Sequence, residues 1–496
     1  MIERVTSQYE HALQAVYWHI ANRGIRVDTN ELRRGRHIVD AEIVRNLAIA
    51  STQWGIKVYI GAENAPEERD GSVNLNASQG KSSFLNKLKD LGYEVPKITK
   101  KNEEGDYEQK FSAGELALQK MLATNQFNYP GGDPAIRAVL KIRELGKLRS
   151  AYFNARLLQR GEDYFFLSNY NVAGTLSGRR SSRKHTFGFG NNGQNFPKHS
   201  EVAPYFRKAL TARPGNVLLM VDQVQAEDWP VSALAYNLRA LEELRNGLDR
   251  HTHLASAIFG IPISSRTTQE WKDSIERYLG KKTRHASNYD MGPGRMSDAL
   301  AQEGHSIGTA QCKVLLDKVA ALDPSVKGVF HKYVQDCISS SRLLVTPFGR
   351  ERQILGARPE DNNSSVFKEA YSFIPQSTVG DNTGFTVLLL ETEIPPEERA
   401  VIQEGHDSVV QDIPSTVEGI YKCLLRTALY FKRTIRFHNG IEIEIPIEAE
   451  LGYNFHITVK IKDFTRAGVK EALEKLDEKT KKGTLSSGAS IENLVA

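Results

Sequence analysis

The spacing of apolar residues divides the first part of the chain into two helical stretches and a more polar region. Residues 7–60 have the period of an amphipathic helix, interrupted at Asn22–Gly24, and Asp28 precedes the second stretch as a helix N-cap does. The polar region contains a Lys-rich stretch, Lys97–Lys110, for which we expect mobility, and then an amphipathic segment, Ala113–Met121. These patterns predict a protruding helical subdomain.

Two strand patterns farther along the chain end at aspartates. Val217–Val221 is continuously apolar, which predicts a buried strand with Asp222 at its end. A second strand pattern begins at Ala400, is interrupted by a Gly-His-Asp turn that ends at Asp407, and then resumes. This pattern predicts a hairpin with Asp407 at its tip.

The remaining patterns are mostly helical. Residues 232–345 are helix-like, with breaks at Gly260–Pro262 and Gly292–Gly294. Residues 434–445 alternate with period two around a turn, which predicts another hairpin. A charged helix-like segment, Thr465–Lys479, leads into a Gly/Ser-rich end. Strands on both sides of a helical insertion predict an α+β core with helical subdomains.

Composition narrows the class of protein. The 496 residues, 40% of them hydrophobic, suffice for roughly three folding units with a core each. The three cysteines are far apart and lack CxxC spacing, which argues against a disulfide framework or a zinc site and favours a reducing compartment. The sequence has no signal-peptide core and no apolar run long enough to cross a bilayer, so we expect a soluble cytoplasmic protein without a membrane partner.

The overall charge does not indicate a partner. The chain has 65 basic and 60 acidic residues, a net charge of +5, so only local clusters can point to nucleic acid. Two clusters of basic residues lie beside Gly, Ser or aromatic residues: Arg179, Arg180, Arg183, Lys184 and His185, and then Lys281, Lys282, Arg284 and His285. Each cluster is equally compatible with a solvated basic face.

Asp222 and Asp407 are candidates for a metal site if their strands share one sheet edge. Carboxylate oxygens suit Mg²⁺, and two ions about 4 Å apart can activate a 3′-hydroxyl and stabilise a leaving pyrophosphate oxygen. Aspartates are also common at strand ends and turns for structural reasons, so their positions alone leave both interpretations open.

Four residues at helical spacing form a second candidate site. Arg277, Lys281, His285 and Tyr289 recur every four residues and would share one face of a helix. Cations and an aromatic ring on one face suit an incoming nucleoside triphosphate. The alternative is a solvated basic face that ends in a core tyrosine.

The residues around both aspartates resemble the motifs of one enzyme family. Val221–Asp228 is similar to the pattern Asp-Tyr-Ser-Gln-x-Glu, and Gly405–Ser408 is similar to His-Asp-Glu. Six further blocks follow the same family's order: Ser177–Ser182, Asn192–Pro197, Asp249–Thr252, Phe259–Pro262, Thr346–Arg350 and Phe373–Ser377. Through these blocks the chain resembles the family A DNA polymerases of the polymerase I type. Its Gln-Ala-Glu-Asp and His-Ala-Ser-Asn-Tyr segments resemble a phage branch.

The resemblance implies a right-hand polymerase fold of class α+β, with an antiparallel-sheet palm and largely helical fingers and thumb. It divides the chain into an N-terminal helical segment (1–30), a thumb (31–155), a first part of the palm with the Asp222 motif (156–235), fingers with a nucleotide-binding helix at about 277–292 (236–385), a second part of the palm with the Asp407 motif (386–460) and a charged C-terminal tail (461–496). For the tail we expect a disordered charged end.

The resemblance also implies a DNA-directed DNA polymerase, a nucleotidyltransferase that extends a primer 3′-OH with dNTPs in phage or bacterial DNA replication. Its cofactors would be two Mg²⁺ ions, for which Mn²⁺ can substitute, and its partners primer–template DNA and dNTPs. We expect no proofreading exonuclease domain before the polymerase module, which leaves three alternatives: proofreading lies on another chain, it is absent, or the sequence begins within a longer protein. Replisome proteins or a separate exonuclease are therefore further candidate partners. A phage enzyme would act in the cytoplasm of its bacterial host.

Residue roles carry over from the resemblance position by position. Asp222 and Asp407 would bind the metal ions. Lys281 and His285 would be further catalytic residues. The nucleotide-binding positions are Gln225, Glu227, His251, Lys281, His285 and Tyr289, and the DNA-binding positions are Arg179, Asn195, Gln376 and His406. Glu227 would block a 2′-hydroxyl and thereby select deoxynucleotides.

Several positions depart from the family's pattern. His285 replaces a lysine that contacts the α-phosphate and can protonate the leaving pyrophosphate, and a histidine can do so only when it is charged. Asp290 replaces a glycine, Pro293 a tyrosine that stacks at the templating base, Trp229 an arginine and Ser408 a third acid. We expect Pro293 to end the nucleotide-binding helix early.

Two other functions remain open. A single-subunit RNA polymerase shares the two-aspartate palm, but Glu227 argues against it because RNA synthesis needs room for the 2′-hydroxyl. A non-catalytic DNA-binding homologue of a polymerase would explain the departures, but the retention of both aspartates argues against that function.

Overall fold

The computed structural model describes residues 4–62, 71–78, 83–101, 107–198, 200–356 and 365–489. They form two units. The first unit comprises the described residues of Met1–Arg33, Asn154–Asp290 and Asp317–Ala496, and the second those of Arg34–Phe153 and Met291–Leu316. Every residue predicted to belong to the site lies in the first unit.

The helices have the following bounds: α1 Ser7–Arg23, α2 Thr29–Trp54, α3 Phe84–Asp90, α4 Glu115–Thr124, α5 Pro134–Leu148, α6 Ala203–Ala209, α7 Asp228–Leu234, α8 Leu238–Arg245, α9 Arg250–Phe259, α10 Thr268–Lys272, α11 Ile275–Asn288, α12 Pro293–Gln302, α13 Thr309–Leu322, α14 Lys332–Ser340, α15 Ser365–Thr392, α16 Val417–Phe431 and α17 Arg466–Ala489. Short π-helical segments, Arg149–Phe153 and Val326–His331, and 3₁₀ turns, Ile263–Ser265 and Pro396–Glu398, add to them.

The strands have the following bounds: β1 Ile25–Val27, β2 Val58–Tyr59, β3 Val73–Asn74, β4 Lys97–Lys101, β5 Tyr107–Phe111, β6 Leu158–Arg160, β7 Asp163–Phe166, β8 Asn169–Asn171, β9 Ser181–Arg183, β10 Leu210–Thr211, β11 Asn216–Gln223, β12 Leu343–Val345, β13 Glu351–Gln353, β14 Val401–Glu404, β15 Ser408–Pro414, β16 Ile435–Arg436, β17 Glu442–Ile443, β18 Ile447–Gly452 and β19 Thr458–Lys460.

A five-stranded antiparallel sheet occupies the first unit, in the order β14-β15-β11-β18-β19. Its middle strand, β11, buries Val217, Leu218 and Leu219 in succession. Consecutive burial means that both faces of the strand are covered, which explains why the sequence is continuously apolar there. The predicted strand ending at Asp222 and the predicted hairpin around Asp407 are confirmed, and so is the antiparallel sheet.

Helix α1 packs against this unit through one face. Tyr9, Leu13 and Ile20 are buried at helical spacing, beside α15, β8 and β14. The helix ends at Gly24, where φ is +69 and a Cβ would lie 2.3 Å from Leu167 Cδ2. Only glycine satisfies both conditions, so the predicted interruption at Asn22–Gly24 is confirmed.

The second unit has its own hydrophobic core, to which Leu118, Ile136 and Val139 contribute. Within this unit, β4 and β5 pair as an antiparallel hairpin from Lys97–Phe111 to Lys101–Tyr107. The Lys-rich stretch is therefore a paired hairpin in its described residues, and its expected mobility stays a prediction. Ile98 is buried between exposed Lys97 and Thr99, which is the alternation of a half-exposed strand, whereas residues 102–106 lie outside the described part.

The charged C-terminal segment is a helix as far as residue 489. Val469, Ala472 and Leu476 are buried three and four residues apart, beside α16 and β19. The predicted helix-like segment Thr465–Lys479 is therefore confirmed, and its charges lie outside an apolar stripe that packs on the core. The expectation of a disordered charged end does not hold for this helix and stays a prediction beyond it. Residues 490–496 lie outside the described part. None of the helices described is long and apolar enough to span a membrane.

Candidate active site

Asp222 and Asp407 meet at one end of the central sheet. Asp222 lies in β11, opposite Ser408 of β15 on one side and Glu448 of β18 on the other. Asp407 precedes Ser408 in the turn after β14, and its carbonyl oxygen accepts a hydrogen bond from the Gln223 amide at 3.0 Å. Asp222 on β11 and Asp407 in the adjoining β14–β15 turn are therefore neighbours at the same end of the sheet.

The Asp222 carboxylate has mainly negative neighbours. Partial burial raises the pKa of Asp222, and Asp407 and Glu448 raise it further, against the opposing charge of Lys198. The Asp222 side chain is nevertheless exposed and Asp407 is half-buried, so a ligand can reach both from solvent. Such crowded carboxylates fit a divalent cation, whose charge would relieve their repulsion.

No group of three or more His, Cys, Asp or Glu side chains in the described ranges is arranged to hold a metal ion. Mg²⁺ commonly binds through one or two carboxylates, and waters and substrate phosphates complete its shell. Asp222 and Asp407 match that requirement in number and in chemistry.

Glu227 precedes α7 and links three other predicted site residues. Its Oε1 accepts a hydrogen bond from Arg179 Nη2 at 2.6 Å, and its Oε2 accepts one from the Tyr289 hydroxyl. His285 Nδ1 lies 3.5 Å from the same Oε2. Burial alone would raise the pKa of Glu227, but Arg179, His285 and the Tyr289 hydrogen bond lower it. The Glu227 carboxylate is therefore ionised at neutral pH.

Helix α11 exposes only part of the predicted stripe. Lys281 and His285 are exposed on the helix. Arg277 instead pairs with Asp249, with 2.7 Å between Nε and Oδ2, and Tyr289 is a buried residue just beyond the end of the helix. Lys281 and His285 are thus the members of the stripe that stay open to a triphosphate.

His251 lies in the first turn of α9, which Asp249 caps. Burial lowers the pKa of His251 to about 4, although Asp228 and Asp249 act in the opposite direction. Its Nδ1 is buried and has no hydrogen-bond partner among the residues described. His251 is therefore neutral at pH 7, and any contact it makes with a triphosphate would be a hydrogen bond rather than an ion pair.

The Gln225 side chain makes hydrogen bonds within the protein. Its Nε2 donates to the Leu248 carbonyl oxygen at 2.9 Å, and its Oε1 accepts from the Arg250 amide at 3.1 Å. Its backbone adopts φ +49 in the turn between β11 and α7. Gln225 thus joins this turn to the start of α9, and its contact with a nucleotide stays a prediction.

The four residues predicted to contact DNA have different surroundings. Arg179 packs on α15, where a Cβ at Gly380 would lie 3.1 Å from Arg179 Cγ, and Gln376 is half-buried one turn earlier in that helix. His406 is exposed in the β14–β15 turn, and partial burial and the charge of Arg179 lower its pKa. Asn195 is exposed in the loop that follows β9.

A buried ion network beside this site was not predicted from the sequence. Arg284 Nε lies 2.7 Å from Asp228 Oδ1, and Arg284 Nη2 lies 3.5 Å from Asp323 Oδ2. Arg250 joins the network, 3.1 Å from Glu243 and 3.7 Å from Asp323. Burial opposes the charge of Asp228, yet Arg284 holds the pKa of Asp228 far below its usual range. The network ties α7 to α11.

The two basic clusters of the sequence contain both buried and exposed members. Arg284 is only 4% exposed, and the equally buried Arg180 pairs with Glu404, with 2.8 Å between Nη2 and Oε1. Arg183 and Lys184 are exposed. The carboxylate partners of Arg284 and Arg180 could not be predicted, because no spacing in the sequence identifies them.

The departures from the family pattern have local structural roles. Trp229 is a core residue whose Nε1 donates to the Val224 carbonyl oxygen at 3.2 Å. Asp290 adopts φ +53, and its carboxylate lies 3.2 Å from Lys327 Nζ. Helix α11 ends before Asp290, and Pro293 begins α12. The expectation that Pro293 ends the nucleotide-binding helix is wrong, because proline suits the first turn of the next helix.

The chain is similar to known polymerases over most of its length. The sequence model of DNA polymerase family A matches residues 48–456. The thermostable DNA polymerase I of Thermus aquaticus is 24% identical over 449 residues, which cover 90% of this chain and 47% of that protein. The DNA polymerase of Bacillus phage SP01 is 24% identical over 381 residues, which cover 72% of this chain and 40% of that protein. This chain thus spans less than half the length of either relative.

A solved structure has the same fold. The POL domain of Pol1 from M. smegmatis, in complex with DNA primer-template and dNTP, superposes with a TM-score of 0.68 at 18% identity. The match covers 90% of this chain and 70% of that chain. The expected α+β polymerase fold is confirmed. With the family model matched over residues 48–456, the chain belongs to DNA polymerase family A.

Proposed function

We propose that this chain is a template-directed DNA polymerase that extends a primer 3′-hydroxyl with dNTPs. The observation that carries the proposal is the meeting of Asp222 and Asp407 at one end of the central sheet, where Glu448 adds further negative charge. Membership of DNA polymerase family A supports the same activity. Primer–template DNA and dNTPs are then its partners in phage or bacterial replication, alongside replisome proteins or a separate exonuclease.

Asp222 and Asp407 would hold two Mg²⁺ ions, for which Mn²⁺ can substitute. Their oxygens are the hard ligands that both cations prefer. When bound, the ions assist nucleotidyl transfer by activating the primer 3′-oxygen and stabilising charge on the leaving pyrophosphate. The exposure of Asp222 leaves room for substrate phosphates beside the carboxylates.

The reaction joins the primer to the incoming nucleotide. The primer 3′-oxygen attacks the α-phosphorus, the bond from the α-phosphorus to the bridging oxygen breaks, and pyrophosphate leaves. The hydroxyl proton goes to solvent, and His285, in its protonated form, would give a proton to the pyrophosphate. Lys281 and His285 are exposed on α11 and attract the triphosphate, whereas Arg277 is already paired with Asp249.

Glu227 would select deoxynucleotides. Its carboxylate has two hydrogen-bond donors, Arg179 and Tyr289, and cannot turn away without losing both bonds. A 2′-hydroxyl directed at Glu227 would have to displace the Tyr289 hydroxyl from Oε2, which leaves a buried donor without a partner. A deoxyribose has no 2′-hydroxyl, so the hydrogen bond between Tyr289 and Glu227 stays intact.

The subdomain boundaries belong to the same proposal. Residues 156–235 and 386–460 would form the palm, and they contain β11, β14, β15, β18 and β19 of the central sheet. Residues 236–385 would form the fingers, with α11 as the nucleotide-binding helix. The proposed thumb, 31–155, overlaps the Arg34–Phe153 part of the second unit, which supports that boundary. Met291–Leu316 of the proposed fingers belongs to the same unit, so the fingers do not follow the division into two units.

A primer-extension assay tests the proposal against an RNA polymerase and against a non-catalytic homologue. The primed template is incubated with Mg²⁺ and either dNTPs or rNTPs. We expect extension with dNTPs and little with rNTPs. Extension that prefers rNTPs would instead identify an RNA polymerase, and DNA binding without any extension would identify a non-catalytic homologue. Asp336→Asn, at an exposed aspartate of α14, is the control for the Asp222→Asn and Asp407→Asn variants and should extend normally.

A further inference from the structure

A cleft in the first unit, separate from the residues around Asp222, combines exposed rings with unpaired cations. The outer face of α1 and the strands β8 and β9 form its walls, and its volume is about 940 Å³. The polar and aromatic side chains that line the cleft include His11, Trp18, His19, Asn169, Asn171 and Arg183. The proposed polymerase reaction uses none of them.

Trp18, in the wall of the cleft, begins a row of aromatic rings that continues through His185 to Phe187. The Trp18 ring is stacked on His185, with 6.2 Å between centroids and 30° between planes, and the His185 ring lies 5.6 Å from that of Phe187. Trp18 is 47% exposed and Phe187 is 64% exposed. Both ends of the row are therefore open to a flat ligand. Large exposed aromatic side chains are costly in water, which favours a binding role.

Positive charge lies beside the rings. Arg183 and Lys184 are exposed and make no ion pair with any residue that the structure describes. The cleft also contains the carboxylate of Glu10, whose Oε1 lies 2.7 Å from Arg350 Nη2, and Arg350 pairs with buried Asp381 as well. Among the described residues, Glu10 is therefore paired whereas Arg183 and Lys184 are not, and their positive charge suits phosphate groups.

Aromatic rings beside unpaired cations are typical of sites that bind single-stranded nucleic acids. In such sites the bases stack on the rings and the phosphates contact basic side chains. A duplex hides the faces of its bases, so a row of open rings favours an unpaired strand. We propose that the α1–β8–β9 cleft binds single-stranded DNA, as a second nucleic-acid site of this chain. The choice of DNA over RNA rests on the proposed polymerase function.

Tryptophan fluorescence of the full chain provides a local test, because Trp18 is the exposed one of the four tryptophans. Titration with an oligo-dT of about ten nucleotides should quench this emission. Because the Trp18 variants lack this reporter, their affinity is measured by the fluorescence anisotropy of a dye-labelled oligo-dT. Trp18→Ala should weaken binding roughly tenfold, since a base loses its stacking partner. Trp18→Phe should retain most of the affinity, because a ring remains. Leu429→Ala, at an apolar side chain of α16 that is 67% exposed, is the matched control and should change nothing.

The contribution of positive charge to DNA binding is tested by measuring affinity at several salt concentrations. Arg183→Ala should reduce the slope of log affinity against log salt by about 0.7, the value for one phosphate contact on a single strand. Lys432→Ala, at an exposed lysine after α16, should leave the slope unchanged. An oligo-U of the same length, used in parallel, separates DNA from RNA as the preferred ligand.

Three results would overturn the site: equal binding of an abasic oligonucleotide of the same length, equal binding of polyglutamate, or unchanged oligo-dT affinity in both Trp18→Ala and Arg183→Ala. Oligo-U bound more tightly than oligo-dT would overturn the choice of DNA. The quenching assay needs no catalysis. A chain that fails to extend primers would contradict the proposed function and leave this test valid.

Discussion

Glu227 contacts three of the other predicted site residues at once. Arg179, predicted to contact DNA, and Tyr289, predicted to contact the nucleotide, both donate to its carboxylate, and His285 lies 3.5 Å away. One carboxylate therefore connects a residue proposed for DNA binding with residues proposed for nucleotide binding. The sequence motif predicted the role of Glu227 in sugar selection, but the three partners could be found only from the fold.

Glu227→Ala should reduce the preference for deoxynucleotides. Without the carboxylate, Tyr289 loses its partner and a 2′-hydroxyl meets no competing hydrogen bond. The ratio of kcat/KM for dCTP over CTP should fall by roughly ten- to a hundredfold. Glu474→Ala, at an exposed glutamate of α17, should keep the wild-type ratio. An unchanged ratio in Glu227→Ala would show that sugar selection lies elsewhere.

His285→Ala should slow nucleotide incorporation more than His285→Lys does. A lysine can still donate a proton to the leaving pyrophosphate, whereas an alanine cannot. The single-turnover rate should fall by roughly a hundredfold or more in His285→Ala and be largely restored in His285→Lys. Equal rates for wild type and His285→Ala would exclude His285 as the proton donor.

At the scale of elements, α7 and α11 are joined by a buried ion pair next to the site. Asp228 follows Glu227 in the chain and Arg284 precedes His285, so the Asp228–Arg284 contact of 2.7 Å fixes the register between the two helices. Both side chains are about 95% buried. A buried pair of this kind does more for specific positioning than for net stability.

Arg284→Met should destabilise the protein strongly because it leaves Asp228 buried without its partner. The loss should be about 3–5 kcal/mol, seen as a lower Tm, with a lower incorporation rate as α11 shifts. Combining Arg284→Met with Asp228→Leu should recover much of the loss of stability, since no unpaired charge remains. Lys332→Met in the exposed Lys332–Asp336 pair should cost less than about 1 kcal/mol. Additive losses in the double variant would contradict direct pairing.

The elements that the sequence predicted well are those whose burial leaves a periodic signal. The continuous apolar run of β11 and the paired strands around Asp407 are examples. The helix-like segment Thr465–Lys479 is likewise confirmed as part of α17. The Lys97–Lys110 hairpin was not predicted, because dense surface charge obscures the alternation of a strand in which Ile98 is buried between exposed Lys97 and Thr99. Ion pairs between distant segments leave no local pattern at all.

At the scale of the whole molecule, the proposed active site consists of residues that are distant in sequence and adjacent in the fold. The central sheet brings β11 against β15 and β18, and with them Asp222, Asp407 and Glu448. The sequence motifs predicted both aspartates, and the similarity to DNA polymerase family A covers residues 48–456. The direct strand pairing of Asp222 with Ser408 required the three-dimensional structure.

The most direct test of the two-aspartate site is the rate of dNTP incorporation by Asp222→Asn and Asp407→Asn. The rate is measured in a single turnover on a primed template with saturating Mg²⁺. Each substitution removes a carboxylate proposed to bind the metal ions, so each rate should fall by at least about a thousandfold. Affinity for primer–template should stay within about tenfold, because phosphate contacts dominate it, and Asp336→Asn should react at the wild-type rate. Rates within tenfold of wild type in either variant would contradict the two-aspartate site.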